Sequence, residues 1–184
     1  MGKKFVISAV SASGKTTLVN ALLSIHPEIY RLKTCTTRPI RPEEKGDEYY
    51  FLTPDDANKK IKSHEFIEHS TVYGNLYGLT RTEVDSHSAV NSVVILDVQG
   101  AKKFKKVYPD ALTIFLEPPS MEVLEARLKE RNTSDLDVSN RLAETKKELE
   151  FMKKADYIVP NGSLLQMKRK LFRYVEFYIN DNSH

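Results

Sequence analysis

The chain of 184 residues has no tryptophan and one cysteine, Cys35. A single thiol excludes an intrachain disulfide framework and fits a reducing compartment. No apolar run approaches the roughly 20 residues that a membrane-spanning helix needs. The short one after "MGKK" runs straight into a Gly-Lys loop and reads as a strand, not as a signal peptide. The start "MGKKFV" has Val6 where a myristoylation site needs Ser or Thr. These absences point to a cytoplasmic protein with no membrane partner. Charge of one sign is also scarce: 28 basic against 25 acidic residues leave a net +3. That suits a protein handling anions but does not argue for nucleic acid. The basic runs "KKFKK" (102–106) and "KRK" (168–170) fall on expected helices without aromatic stacking residues around them, so they read as solvated faces. The five histidines show no metal-ligand spacing. Cys35 has no evident His partner and reads as a small buried residue.

Glycine is sparse too, and its scarcity bears on one stretch. "SAVSASGKTT" (8–17) has the outline of a phosphate-binding loop, G-x-x-x-x-G-K-[ST], with Ala9 at the first glycine position. Gly14, Lys15 and Thr16, for which there is no substitute, are all present. A hydrophobic strand precedes the loop and an amphipathic helix follows it, the context in which backbone N–H groups at a helix N-terminus bind phosphates. Lys15 can reach the terminal phosphates of a nucleotide, and the Thr16 hydroxyl can bind Mg²⁺. Ala12 in a left-handed conformation would cost about 1–2 kcal/mol, less than several hydrogen bonds to a charged ligand return. "VVILD" (93–97) supplies the complementary part, a buried strand ending in the carboxylate of Asp97.

Short β-rich runs alternating with helical patterns argue an α/β fold with a mainly parallel sheet. "KFVIS" (4–8), "VVIL" (93–96), "LTIFL" (112–116) and "YIV" (157–159) are the expected strands. The helix after the loop places Leu18, Leu22 and Ile25 on one face. Residues 34–80 differ, with short, mixed and partly aromatic runs that suggest a small inserted antiparallel lobe. Within them Thr53 caps an expected helix beginning at Pro54. Helices are expected from Ser120 to about Arg131, from Ser134 with a stripe of Val138, Leu142, Thr145, Leu149 and Met152, and from Ser163 with Leu164, Leu171, Val175 and Tyr178 buried.

In "TCTTRPIR", Arg38 and Arg41 can converge on one anion, and Tyr49 and Tyr77 are phenols able to donate to the same phosphate. Glu68, in the mostly apolar run "EFIEHS", can accept two hydrogen bonds from a purine that presents adjacent N–H groups, as guanine does.

Together, "SASGKTTL", "TTRPIRPEEKGDEYYF", "EFIEHSTVYGNLYG", "LDVQGAKKFK", "FLEPPSMEVLEARLKER", "NRL" and "DYIVPN" resemble the guanylate kinase family over nearly the whole chain. The resemblance implies a P-loop NTPase-type three-layer fold. A core (1–33, 81–119 and 155–184) would carry an antiparallel GMP-binding lobe (34–80) and a helical lid (120–154). It implies Mg²⁺-dependent phosphoryl transfer from ATP to GMP or dGMP, by a monomer or homodimer in purine nucleotide metabolism. ATP would lie on Ser11, Ala12, Ser13, Gly14, Lys15, Thr16, Thr17 and Asn161. GMP would lie on Thr34, Arg38, Arg41, Tyr49, Glu68, Tyr77, Thr80 and Asp97. Thr16 and Asp97 would hold Mg²⁺, the latter through water. Lys15, Arg38 and the lid arginines Arg127, Arg131 and Arg141 would stabilise the transferring group. Leu79 stands where the family commonly has Ser, Ile95 where it commonly has an acid, and Pro160 interrupts a stretch near the adenine. A lost hydrogen bond of about 0.5–1.5 kcal/mol would blunt guanine preference without abolishing it. Two rival readings are a kinase of the same scaffold with another phosphorylated acceptor, and a non-catalytic interaction module. Retention of Lys15, Thr16, Asp97 and the three lid arginines disfavours the second.

Overall fold

The computed structural model describes residues 1–10, 13–42, 44–72, 74–130 and 135–180, without the side chains of 135–137, 140, 141, 144, 146 and 147. Its centre is a five-stranded sheet of β1 (Lys4–Ser8), β2 (Tyr30–Arg31), β7 (Ser92–Ile95), β8 (Leu112–Leu116) and β9 (Tyr157–Val159), ordered β2-β7-β1-β8-β9. Every pairing in it is parallel, with Phe5 opposite Val93 on one side and Leu112 on the other. The alternation of strand side chains divides the core in two. Phe5 and Ile7 of β1, with Leu112, Ile114 and Leu116 of β8, meet Leu18, Val19 and Leu22 of α1 (Lys15–Ile25) and Leu171 and Val175 of α7 (Leu164–Asn180). Val6 and Phe115 point the other way. They join Ala101 and Phe104 of α4 (Val98–Val107), Leu124 and Leu128 of α5 (Met121–Glu130) and Val138 and Phe151 of α6 (Asp135–Met152). A sheet covered on both faces is why its strands read as continuous apolar runs.

A second sheet contains β3 (Cys35–Thr36), β4 (Tyr50–Phe51), β5 (Phe66–Val72) and β6 (Asn75–Thr80), ordered β4-β3-β6-β5. The expected small antiparallel lobe is there, with one pairing that departs from it. β5, β6 and β3 are antiparallel neighbours, whereas β4 joins β3 in parallel after a long loop. Thr53 caps α2 (Pro54–Lys62) by accepting from the Asp56 N–H, as the Thr-Pro start implies. The short α3 (Arg81–Ser86) returns the chain to the central sheet.

Two apolar residues depart from their expected burial. Ile25 is 58% exposed and Leu164 47% exposed. Val19 and Met167 are buried on their helices instead. Both departures lie at helix ends: Ile25 is the last residue of α1 and Leu164 the first of α7. Tyr178 packs partly buried against the core.

Candidate functional site

A cavity of about 200 Å³ opens beyond the C-terminal ends of β1 and β7. One end is formed by Ala9, Ser13, Gly14, Lys15, Thr16 and Thr17. Gly14 precedes α1 with φ 86° and ψ 21°, a left-handed conformation that favours glycine. Among the described residues no side chain caps α1, and its first turn carries no acid. Its N-terminal N–H groups are therefore left for a ligand, unlike those of α2 and α4. The Lys15 ammonium folds back to donate to the carbonyls of Ala9 (2.8 Å) and Val10 (3.0 Å). Ser11 and Ala12 lie outside the described residues.

The other end is built by the second sheet and the loop after β3: Thr34, Arg38, Arg41, Tyr49, Glu68, Val72, Asn75, Tyr77 and Gly78. The Tyr49 and Tyr77 rings meet edge to face at 6.1 Å. Burial, then the neighbouring Tyr77, pushes the Tyr49 phenol above its ordinary range, so it remains a donor. Ile95, Leu96 and Asp97 form the floor between the two ends, and Glu148 of α6 reaches the same cavity.

Glu68 is the unusual group here. It is only 3% exposed, and its Oε2 has no hydrogen-bond partner among the described residues. Burial first, and the Asp97 carboxylate second, push its pKa up to about 8. The group also has a hydrogen bond with the Leu79 backbone, but a buried carboxyl with one oxygen unpaired costs stability and is retained where a ligand completes it. Room for it comes from Gly100: a Cβ there would stand 2.7 Å from Glu68 Oε2.

Asp97 ends β7 and begins α4. Its Oδ1 accepts from the N–H groups of Gln99 (2.7 Å) and Gly100 (3.0 Å), and its Oδ2 accepts from the Ser70 hydroxyl of β5. The carboxylate thus spends both oxygens on capping α4 and tying the second sheet to the first. For Mg²⁺, which prefers oxygen ligands and keeps several waters, the Thr16 hydroxyl on the wall is a suitable donor. Asp97 suits it only through water. No cluster of three or more acidic, His or Cys ligands exists among the described residues.

The profile of the guanylate kinase family matches residues 1–178. The chain belongs to the guanylate kinase family. The guanylate kinase of Thermotoga maritima is 41% identical over 167 residues, covering 89% of this chain and 81% of that protein. That of Sus scrofa is 40% identical over 167 residues, covering 86% and 84%. The crystal structure of guanylate kinase from Anaplasma phagocytophilum superposes with a TM-score of 0.78 at 27% identity, covering 98% of this chain and 88% of that one.

Three residues expected from the guanylate kinase pattern stand away from the cavity wall. Thr80 uses its hydroxyl to accept from the Glu83 N–H and so caps α3. Asn161 is exposed, and its N–H donates to Glu117. Arg127 is exposed in the last turn of α5. Arg131 and the Arg141 side chain lie outside the described residues. Leu79, where guanylate kinases commonly carry Ser, is fully buried among Val84, Leu96 and Ala101 and contributes nothing to the wall. Ile95 does line it. Sequence reasoning missed Ser70 and Asn75, although the run "EFIEHSTVYGNLYG" contains both, and Glu148, which lies in none of the family-like runs. It also passed over Gly100, although the run "LDVQGAKKFK" contains it.

Proposed function

We propose that this protein transfers the terminal phosphoryl group of ATP to GMP or dGMP, yielding ADP and GDP or its deoxy form. The observation that carries the reading is the pairing, in one cavity, of a Gly-Lys-Thr loop at one end with two arginines, two tyrosines and a buried carboxyl, whose Oε2 has no partner among the described residues, at the other. The first end suits a nucleoside triphosphate; the second suits a phosphate attached to a base with two adjacent N–H donors.

ATP phosphates lie on the N–H groups of Ser13, Gly14, Thr16 and Thr17, with the Lys15 ammonium turning from the Ala9 and Val10 carbonyls to the phosphate oxygens. The Thr16 hydroxyl, and Asp97 through water, would hold Mg²⁺, which would supply charge neutralisation of the phosphates. Arg38, Arg41, Tyr49 and Tyr77 hold the acceptor phosphate. Glu68, ionised, accepts from guanine N1–H and N2–H, and Thr34 offers its hydroxyl nearby. Phosphoryl transfer needs in-line positioning and positive charge on the equatorial oxygens more than covalent help. Residues 120–154 act as a lid, with Arg127, Arg131 and Arg141 brought over the transferring group on closure. The core comprises 1–33, 81–119 and 155–184, and the acceptor lobe 34–80.

The reading is tested by following ADP release from Mg²⁺-ATP with GMP, dGMP, IMP, AMP or no acceptor. Turnover confined to GMP and dGMP supports it. Preferential turnover of another monophosphate supports the second reading, a different acceptor on the same scaffold, which Ile95 on the cavity floor favours. No turnover with any acceptor refutes both.

A further inference from the structure

Arg38 and Arg41 both line the cavity, and two guanidiniums brought to one anion repel each other until it arrives. Glu44, which does not line the cavity, stands behind them. Its carboxylate, 13% exposed, accepts from Arg38 Nη2 at 2.7 Å through Oε1 and 3.0 Å through Oε2. Oε2 also accepts from the Arg41 backbone N–H at 2.9 Å, and Oε1 lies 3.9 Å from Arg41 Nη1. The Glu44 N–H closes the turn by donating to the Arg41 carbonyl at 3.0 Å. One carboxylate therefore grips the side chain of the first arginine and the backbone of the second. Tyr49 braces the other side of Arg38, with its ring centroid 5.5 Å from the guanidinium carbon.

The pair is ionised. Burial would raise the Glu44 pKa, but the hydrogen bonds from Arg38 and the Arg41 N–H outweigh it and hold the carboxyl below its ordinary range. Burial would lower that of Arg38, but the hydrogen bonds and charge interactions with Glu44 and Tyr77 together outweigh it and hold the guanidinium above its ordinary range.

We propose that Glu44 is a positioning residue for the acceptor's phosphate, holding Arg38 and Arg41 from behind the cavity wall at the separation from which both donate to one phosphate group. The proposal rests on reading this end of the cavity as the acceptor site. A guanidinium has five donors in a fixed plane, so those facing Glu44 determine where the rest point. Removing the carboxylate leaves Arg38 held by the Pro39 carbonyl, to which Nη1 donates, and by Tyr77, without the anchor it shares with Arg41, and leaves the repulsion between the two cations unscreened.

The test compares wild type, E44Q and E44A in steady-state assays with GMP and ATP varied separately, and with guanosine as a competitive inhibitor lacking the phosphate. E44A is expected to raise the KM for GMP roughly 10- to 100-fold, the worth of a charge-assisted hydrogen bond, and E44Q less. The KM for ATP and the inhibition constant of guanosine stay within about twofold, and in an Arg38→Ala background E44A adds about twofold at most. An unchanged KM for GMP overturns the proposal. So does equal weakening of GMP and guanosine, the mark of a collapsed loop. If E44A does not fold, E44Q at an unchanged melting temperature gives the same comparison. Wild-type protein without GMP turnover would sink the acceptor reading, and this proposal with it.

Discussion

On the proposed reading, in which Glu68 accepts from guanine, binding of the base would be a proton-linked event. Burial and the nearby Asp97 carboxylate hold its pKa at about 8 against an ordinary 4.5. The empty site is therefore mostly protonated at neutral pH, while the form that accepts two N–H groups is the ionised one. With a pKa of about 8, the ionised fraction is about 1% at pH 6, about 9% at pH 7 and about half at pH 8. Once guanine supplies its donors, the reason for holding the proton disappears, so binding releases about one proton at pH 7. Guanosine is the right ligand, because it lacks the phosphate that titrates in the same range. Its affinity should rise about 50-fold from pH 6 to pH 8, and calorimetry at pH 7 in buffers of different ionisation enthalpy should report about one proton released. Glu68→Gln should abolish both effects and weaken guanosine, since the amide offers one acceptor and sets an N–H₂ against the purine's donors. Stability runs oppositely. The folded chain holds this proton up to about pH 8 and the unfolded chain only to about 4.5, so Glu68 lowers stability as pH rises between those values. The variant should therefore melt higher than wild type at pH 8. A flat affinity profile for wild type, or no proton release, would refute the account.

Three further outcomes follow from the geometry. Gly100→Ala places a Cβ 2.7 Å from Glu68 Oε2; it should weaken guanosine at least tenfold while leaving the KM for ATP within about twofold, as read by steady-state kinetics. Thr80→Ala should lower stability by about 0.5–2 kcal/mol through loss of the α3 cap, with the ratio of GMP to IMP turnover unchanged; a shifted ratio would restore Thr80 to the acceptor site. Lys15→Ala should reduce kcat by about 10²–10³ with little change in melting temperature, because the ammonium's observed partners are two carbonyls of its own loop.

Much of the fold was legible locally. β1, β8 and β9 fall on the residues that the apolar runs indicate, and Thr53 caps α2 as its Thr-Pro-Asp-Asp start implies. Backbone propensity, capping and the two-sided burial of parallel strands are short-range or compositional, so they leave their mark in the chain itself. Gly14, Lys15 and Thr16 were legible for the same reason: a strand, a turn and a helix start are contiguous, and the loop's chemistry lies in one run. Ile25 and Leu164 escape the periodicity argument because they are the terminal residues of their helices, and the period alone does not say which end residues have a neighbour to pack against.

Tertiary structure decided whatever depends on groups far apart in the chain. The position of Glu68 depends on the missing Cβ of Gly100, its protonation on Asp97, and the position of Asp97 on Ser70. The assignment of Thr80 turned on whether its hydroxyl met a helix N–H or a cavity, and that of Glu44 on which guanidiniums the loop folds around it. The sequence alone thus determined the class of chemistry, a loop for phosphates and residues fit for a second anion and a purine. The partners, desolvation and pKa of each group arose only on folding, because electrostatics and packing act across space and not along the chain.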